Sequence, residues 1–232
     1  MNGPEIESKK LPGALVCLPL AVAVLLVMLP TLELGTRLFS GWYWWGVILG
    51  VAMMILSIFC HRAGKRHAAW YLLSLFLNGC GDGFSLSALY IHKHLVASAQ
   101  TNLPGVIPAA CALLLSCVLL LLLSKRKRLA AILAALCALS SLIYSFGSNA
   151  PFWVFACFAS LLGAVFLIPM VRLTGHPERG ALRQSSFAGF GAFVLITIVV
   201  VFLLSEGEIL DGLDFGDVFS GGKKNKQPRA HR

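Results

Sequence analysis

VIPAACALLLSCVLLLLLSKRKR, residues 106–128, decides the class of this protein. Residues 106–123 contain no charge, and four of the next five are Lys or Arg. As a helix, that apolar run is about 27 Å long at ~1.5 Å per residue. It matches the ~30 Å hydrocarbon core of a bilayer. A strand edge or an open loop would leave backbone N–H and C=O groups without partners in lipid, so a spanning segment of this kind is helical.

The same pattern recurs along the chain. Apolar blocks at 11–30, 42–60, 68–91, 106–123, 129–146, 151–171 and 187–204 give seven spans. Hydrophobic residues make up 58% of the 232 residues and charged residues only 12%. Soluble domains carry about twice that charged fraction, so the chain reads as an all-α, polytopic transmembrane helix bundle. The first block follows Lys9 and Lys10. It exceeds the ~7–15 apolar residues of a signal peptide and lacks a small-residue cleavage site, so it is read as a retained helix. Residues 1–10 then form a cytoplasmic N-terminal segment, 11–204 the membrane domain and 205–232 a flexible C-terminal tail.

Orientation is read from the basic residues. Lys9, Lys10 and the loops after the second, fourth and sixth spans (HRAGKRH, SKRKR and VRLTGHPERGALRQ) hold twelve Lys and Arg. The loops after the odd-numbered spans hold two, Arg37 and Lys93. The positive-inside rule then places the N-terminus in the cytoplasm and the C-terminus outside. Aromatic residues fit interfaces on the same scheme, with Trp42, Tyr43, Trp44, Trp45 and Trp153 outside and Trp70 and Tyr71 inside.

The net charge of +9 is therefore mostly a topology signal. Its scatter over short loops argues against nucleic-acid binding and for contact with anionic lipid. The seven cysteines lie within or at the ends of spans and include no CxxC pair, which argues against a disulfide framework. The tail runs from acidic (EGEILDGLDFGD) to basic (KKNKQPRAHR), as a short interfacial helix with a disordered end would.

One span breaks the apolar rule. FLNGCGDGFS, residues 76–85, puts Asn78, Asp82 and three glycines inside the third block. On a helix, Ser74, Asn78, Asp82 and Ser85 share one face. Interhelical hydrogen bonds in membranes contribute only about 0.6 kcal/mol each, and small residues simply allow close approach. An ionisable group costs roughly 2.5–3.5 kcal/mol at a helix centre. That cost marks Asp82 as a candidate proton or cation site. A low dielectric favours the neutral acid, so Asp82 is expected to be protonated or ionised beside a bound cation. A second polar stripe, Cys137, Ser141, Tyr144, Ser145 and Ser148, lies on the fifth span at similar depth. The two stripes are expected to face one another and to line a cavity. Gly79, Gly81 and Gly83 are expected to unwind the third span locally, freeing carbonyls for a cation.

GCGD at 79–82 also resembles the Gly-x-Gly-Asp motif of intramembrane aspartyl proteases, the presenilin, signal-peptide-peptidase and prepilin-peptidase group. The resemblance covers four residues. It implies a catalytic Asp82 paired with a second aspartate on another span, yet Asp211, Asp214 and Asp217 all lie in the tail and Glu33 at the end of the first span. Without a dyad sharing a proton, that mechanism has no second carboxylate. No GxSxG, HExxH, Walker A or Rossmann fingerprint occurs. His92 and His94 alone make a poor metal site, so no metal or cofactor is expected and an enzyme is the less favoured class.

The expectation is a multi-pass membrane protein, of the plasma membrane of a prokaryote. It would be a small ion- or proton-linked solute carrier in which Asp82, Asn78, Ser85, Ser141, Tyr144 and Ser145 bind substrate or ion. The alternative is a non-catalytic subunit or scaffold packed against a partner membrane protein.

Overall fold

A computed structural model describes residues 12–148, 152–174 and 180–205. The N-terminal segment and nearly all of the tail lie outside the described residues. Among the described residues eight α-helices follow in order: α1 (Gly13–Leu38), α2 (Trp44–Ala63), α3 (Ala69–His92), the single turn α4 (Ala99–Asn102), α5 (Val106–Leu122), α6 (Lys127–Gly147), α7 (Trp153–Leu173) and α8 (Ala181–Leu204). Short 3-10 turns precede α5 and α6. No strand occurs among the described residues, and seven helical segments are long and apolar enough to cross a membrane. The protein is an all-α multipass bundle.

Two boundaries differ from the sequence expectation. The first helix runs past Pro30 to Leu38: TLELGTRL contains no further proline, and Arg37 bonds back to Glu33 one turn earlier. The last helix starts at Ala181 rather than 187. Gly180, at φ 107°, supplies the left-handed residue that turns the chain into it. ALRQSS, read as the end of a loop, is its first turn and a half.

α3 sits at the centre. Of its most apolar stretch, 83% is buried, against 22% for α6 at the periphery. α3 packs on α1, α2 and α8, while α7 packs on α1, α5, α6 and α8. The span richest in polar groups is thus the one most shielded from lipid, as expected where a polar side chain facing lipid is costly. The outside is apolar: Leu26, Ile55, Phe59, Phe76, Leu114, Ile143 and Ile198 are all exposed. A surface of that kind needs a hydrocarbon solvent.

Close packing at the centre depends on glycine. α3 is one continuous helix through Gly79, Gly81 and Gly83, so the expected unwinding does not occur. The three glycines face three neighbours, α1, α2 and α8. A Cβ on Gly79 would lie 3.2 Å from the Val24 carbonyl oxygen of α1, and one on Gly83 would lie 2.7 Å from that of Met28. Gly81 turns instead to α8 and α2, where a Cβ would lie 2.8 Å from the Phe193 ring and 3.2 Å from the Gly50 carbonyl oxygen. A Cβ on Gly46 would meet the Phe84 carbonyl oxygen at 2.6 Å. Both GCGDG (79–83) and GVILG (46–50) have the GxxxG spacing that lets membrane helices approach backbone to backbone.

Candidate functional site

Ser74, Asn78, Asp82 and Ser85 lie on one side of α3, and all four are fully buried or nearly so. They face α8. Ser186 donates to Ser74 Oγ at 2.8 Å, Gly189 lies beside Asn78, and Thr197 donates to Ser85 Oγ at 3.4 Å. The register advances in the same direction on both helices, so α3 and α8 run parallel. Asp82 is rotated about 40° from Asn78, toward the side of Gly79 and Gly83 that meets α1. On ideal helix geometry Asp82 thus points between the α8 and α1 sides of α3, near the middle of that helix.

One end of this file is tightly bonded. His61 Nδ1 and Ser186 Oγ are 2.8 Å apart. Ser74 Oγ also lies 2.9 Å from Ser57 Oγ of α2. These four groups tie α2, α3 and α8 together at the end that carries Arg62, Lys65, Lys125 and Lys127. Replacing Ser74 with Ala removes two interhelical bonds. At about 0.6 kcal/mol per bond, we expect a stability loss of roughly 1 kcal/mol in detergent unfolding. Ser140→Ala, which loses only a bond to Leu136 within its own helix, should melt like the parent.

The middle of the file is different. Both oxygens of Asp82 and both polar atoms of the Asn78 side chain are buried without a hydrogen-bond partner. Buried polar atoms are nearly always paired, and an orphan calls for an explanation. No cation bonds to Asp82, and the one ion pair that α1 makes within itself, Arg37 with Glu33, lies at the helix end. A carboxyl here, beside an amide that can donate and accept, can hold a proton or a small cation and little else.

The fifth-span stripe goes elsewhere. α6 packs on α5 and α7. Ser141 lies 2.8 Å from Ser160 of α7, Ser145 donates to the Ser141 carbonyl, and Tyr144 is exposed on the outer surface. Ser141 and Tyr144 line a surface groove of about 440 Å³ between α5 and α6. The expected shared cavity with Asp82 is therefore not formed. Asn78, Asp82 and Ser85 are brought together; Ser141, Tyr144 and Ser145 form a separate group.

Four polar members of the file escaped the sequence reading: Ser57, His61, Ser186 and Thr197. The available signal was the serine pair at 185–186, which a helix starting at 181 would have turned inward. The protease-like dyad finds no second aspartate among the described residues. No cluster of three His, Cys, Asp or Glu side chains that could hold a metal occurs among them either.

Fold and site together define a multipass membrane helix bundle with, among the described residues, one fully buried carboxyl. Comparison with protein families, curated protein sequences and solved structures finds no match to this chain.

Proposed function

We propose that this protein is a small proton- or cation-linked solute carrier in which Asp82 binds the coupling ion. The observation that carries this reading is the unpartnered Asp82 carboxyl, fully buried on the central helix α3. A structural carboxyl would be expected to have a partner, because burying it otherwise costs several kcal/mol. An ion site is satisfied only when loaded. Asn78 and Ser85 flank the carboxyl on the same face and supply the neutral ligands. The test is labelling of the reconstituted protein with a hydrophobic carbodiimide, which reacts with a protonated carboxyl in lipid. Asp82 should be modified, and high pH or the coupling cation should slow the reaction. Labelling that ignores both would count against an ion site.

A second reading rests on α6. This least buried span presents Leu136, Leu139 and Ile143 outward beside the groove it shares with α5. A non-catalytic subunit would use such a face against a partner membrane protein. Stoichiometric co-purification of a partner, with no flux from the isolated protein, would favour it.

On either reading, the proposed orientation has the N-terminus in the cytoplasm and the C-terminus outside, in the plasma membrane. A reporter active only outside the cytoplasm should work after Arg232 or near Asn149 and stay silent near Lys127. Activity at Lys127 would reverse the assignment.

A further inference from the structure

At the basic end of the bundle, α7 and α8 leave a groove of about 650 Å³ between them. Ligand-sized clefts occupy roughly 300–1,000 Å³. One part of its wall is apolar, formed by Val165, Ile168, Phe187 and Gly191. The other part is cationic and polar, formed by Arg172, Arg183, His61 and Gln184. Among the described residues, no acidic side chain lines it. Arg172 and Arg183 concentrate positive charge at one end. The Gln184 Oε1 atom is buried without a hydrogen-bond partner. His61 uses Nδ1 toward Ser186, which leaves Nε2 as the ring nitrogen available to a ligand.

We propose that this groove is a binding site for one anionic phospholipid whose headgroup carries hydroxyls, with its phosphate at Arg172 and Arg183 and one acyl chain along Val165, Ile168, Phe187 and Gly191. Charge complementarity selects the occupant. Guanidinium groups match phosphate oxygens with paired N–H donors, and a headgroup hydroxyl gives Gln184 Oε1 the donor it lacks. A zwitterionic lipid would bring its own cation among the arginines. A free anion would leave the apolar wall uncovered. The division of the groove follows the membrane normal, since the arginines lie at the helix ends and the apolar residues toward mid-span.

The site does not depend on how Asp82 is used. It does place a headgroup against His61, the outermost member of the polar file, so lipid occupancy would brace the His61–Ser186–Ser74 bonds.

The test is lipid binding to the full chain in detergent, read by native mass spectrometry and by the shift in melting temperature. The probes are phosphatidylglycerol, phosphatidylcholine and inorganic phosphate. Phosphatidylglycerol should be retained at one per chain and should raise the melting temperature, with phosphatidylcholine at least tenfold weaker. The double substitution Arg172→Gln/Arg183→Gln should weaken phosphatidylglycerol binding by roughly thirtyfold, about fivefold for each arginine lost. Arg172→Lys/Arg183→Lys keeps the charge without the paired donors and should bind between the parent and the glutamine pair, which separates charge from folding. Gly191→Leu should block the chain-binding half, because the one atom near a Cβ there is Val165 Cγ1 at 3.8 Å and the larger side chain would project into the groove. Equal binding of the two lipids, or full binding by the glutamine variant, would overturn the proposal. Equal protection by inorganic phosphate would assign the site to a free anion and overturn the lipid.

Discussion

Gly83→Leu is expected to leave no folded, monodisperse protein after detergent extraction. A Cβ at position 83 already lies 2.7 Å from the Met28 carbonyl oxygen and collides with the Thr31 hydroxyl. The hydroxyl can rotate away, but the carbonyl belongs to the α1 backbone and cannot. Even one added methyl in a packed core costs about 1–3 kcal/mol, so Gly83→Ala should already lower stability measurably. A leucine would force α1 off α3. Because α3 is also held by α2 and α8, it has no free direction in which to retreat. Size-exclusion profiles of Gly83→Ala and Gly83→Leu, with Gly147→Ala as a control, give the measurement. Nothing lies within 4 Å of a Cβ at Gly147, so that substitution should be silent. A well-folded Gly83→Leu protein would mean that α1 does not rest on this face.

The contrast between Gly83 and Gly147 also indicates what the sequence could tell. Lipid imposes length and apolarity on every span, so the number of helices was legible from composition alone. Depth within the bundle was not. The glycines at 79, 81 and 83 suggested a broken helix because Gly weakens helices in water. In this bundle they are buried against α1, α2 and α8, and close helix packing offsets the intrinsic preference. GVILG on α2 was the complementary signal, since two glycines four apart invite a backbone against them.

The polar stripe was readable as a face and unreadable as a pair. Periodicity places Ser74, Asn78, Asp82 and Ser85 together because that follows from one helix's geometry. Which helix lies opposite depends on three-dimensional packing, and two polar stripes at similar depth are only a weak guide to it. Ser141 found Ser160, the one serine of α7, rather than Asp82. The true partner, α8, carries Ser186 in a stretch first read as loop and Thr197 as a lone hydroxyl in an apolar run. Gly189 gives no polar signal at all, yet it makes room for Asn78.

Asp82→Asn should abolish flux while leaving the protein folded. The two side chains are nearly the same size and shape, so helix packing is unchanged. Neither carboxyl oxygen bonds to the protein, so the substitution breaks no hydrogen bond that holds the fold. An ionisable Asp costs roughly 2.5–3.5 kcal/mol at a helix centre on insertion scales, and the neutral amide avoids its ionisation. We therefore expect the melting temperature of Asp82→Asn to equal or exceed that of the parent. What the amide cannot do is gain and lose a proton or neutralise a bound cation. Flux in proteoliposomes should fall to background, and carbodiimide labelling at position 82 should disappear. The two readouts separate the readings. A structural carboxyl would leave flux intact in the variant. Lost flux accompanied by aggregation would show that Asp82 supports the fold, contrary to its unbonded oxygens. Lost flux in a protein at least as stable as the parent is the outcome expected of an ion site, because the carboxyl is then retained at a cost to stability.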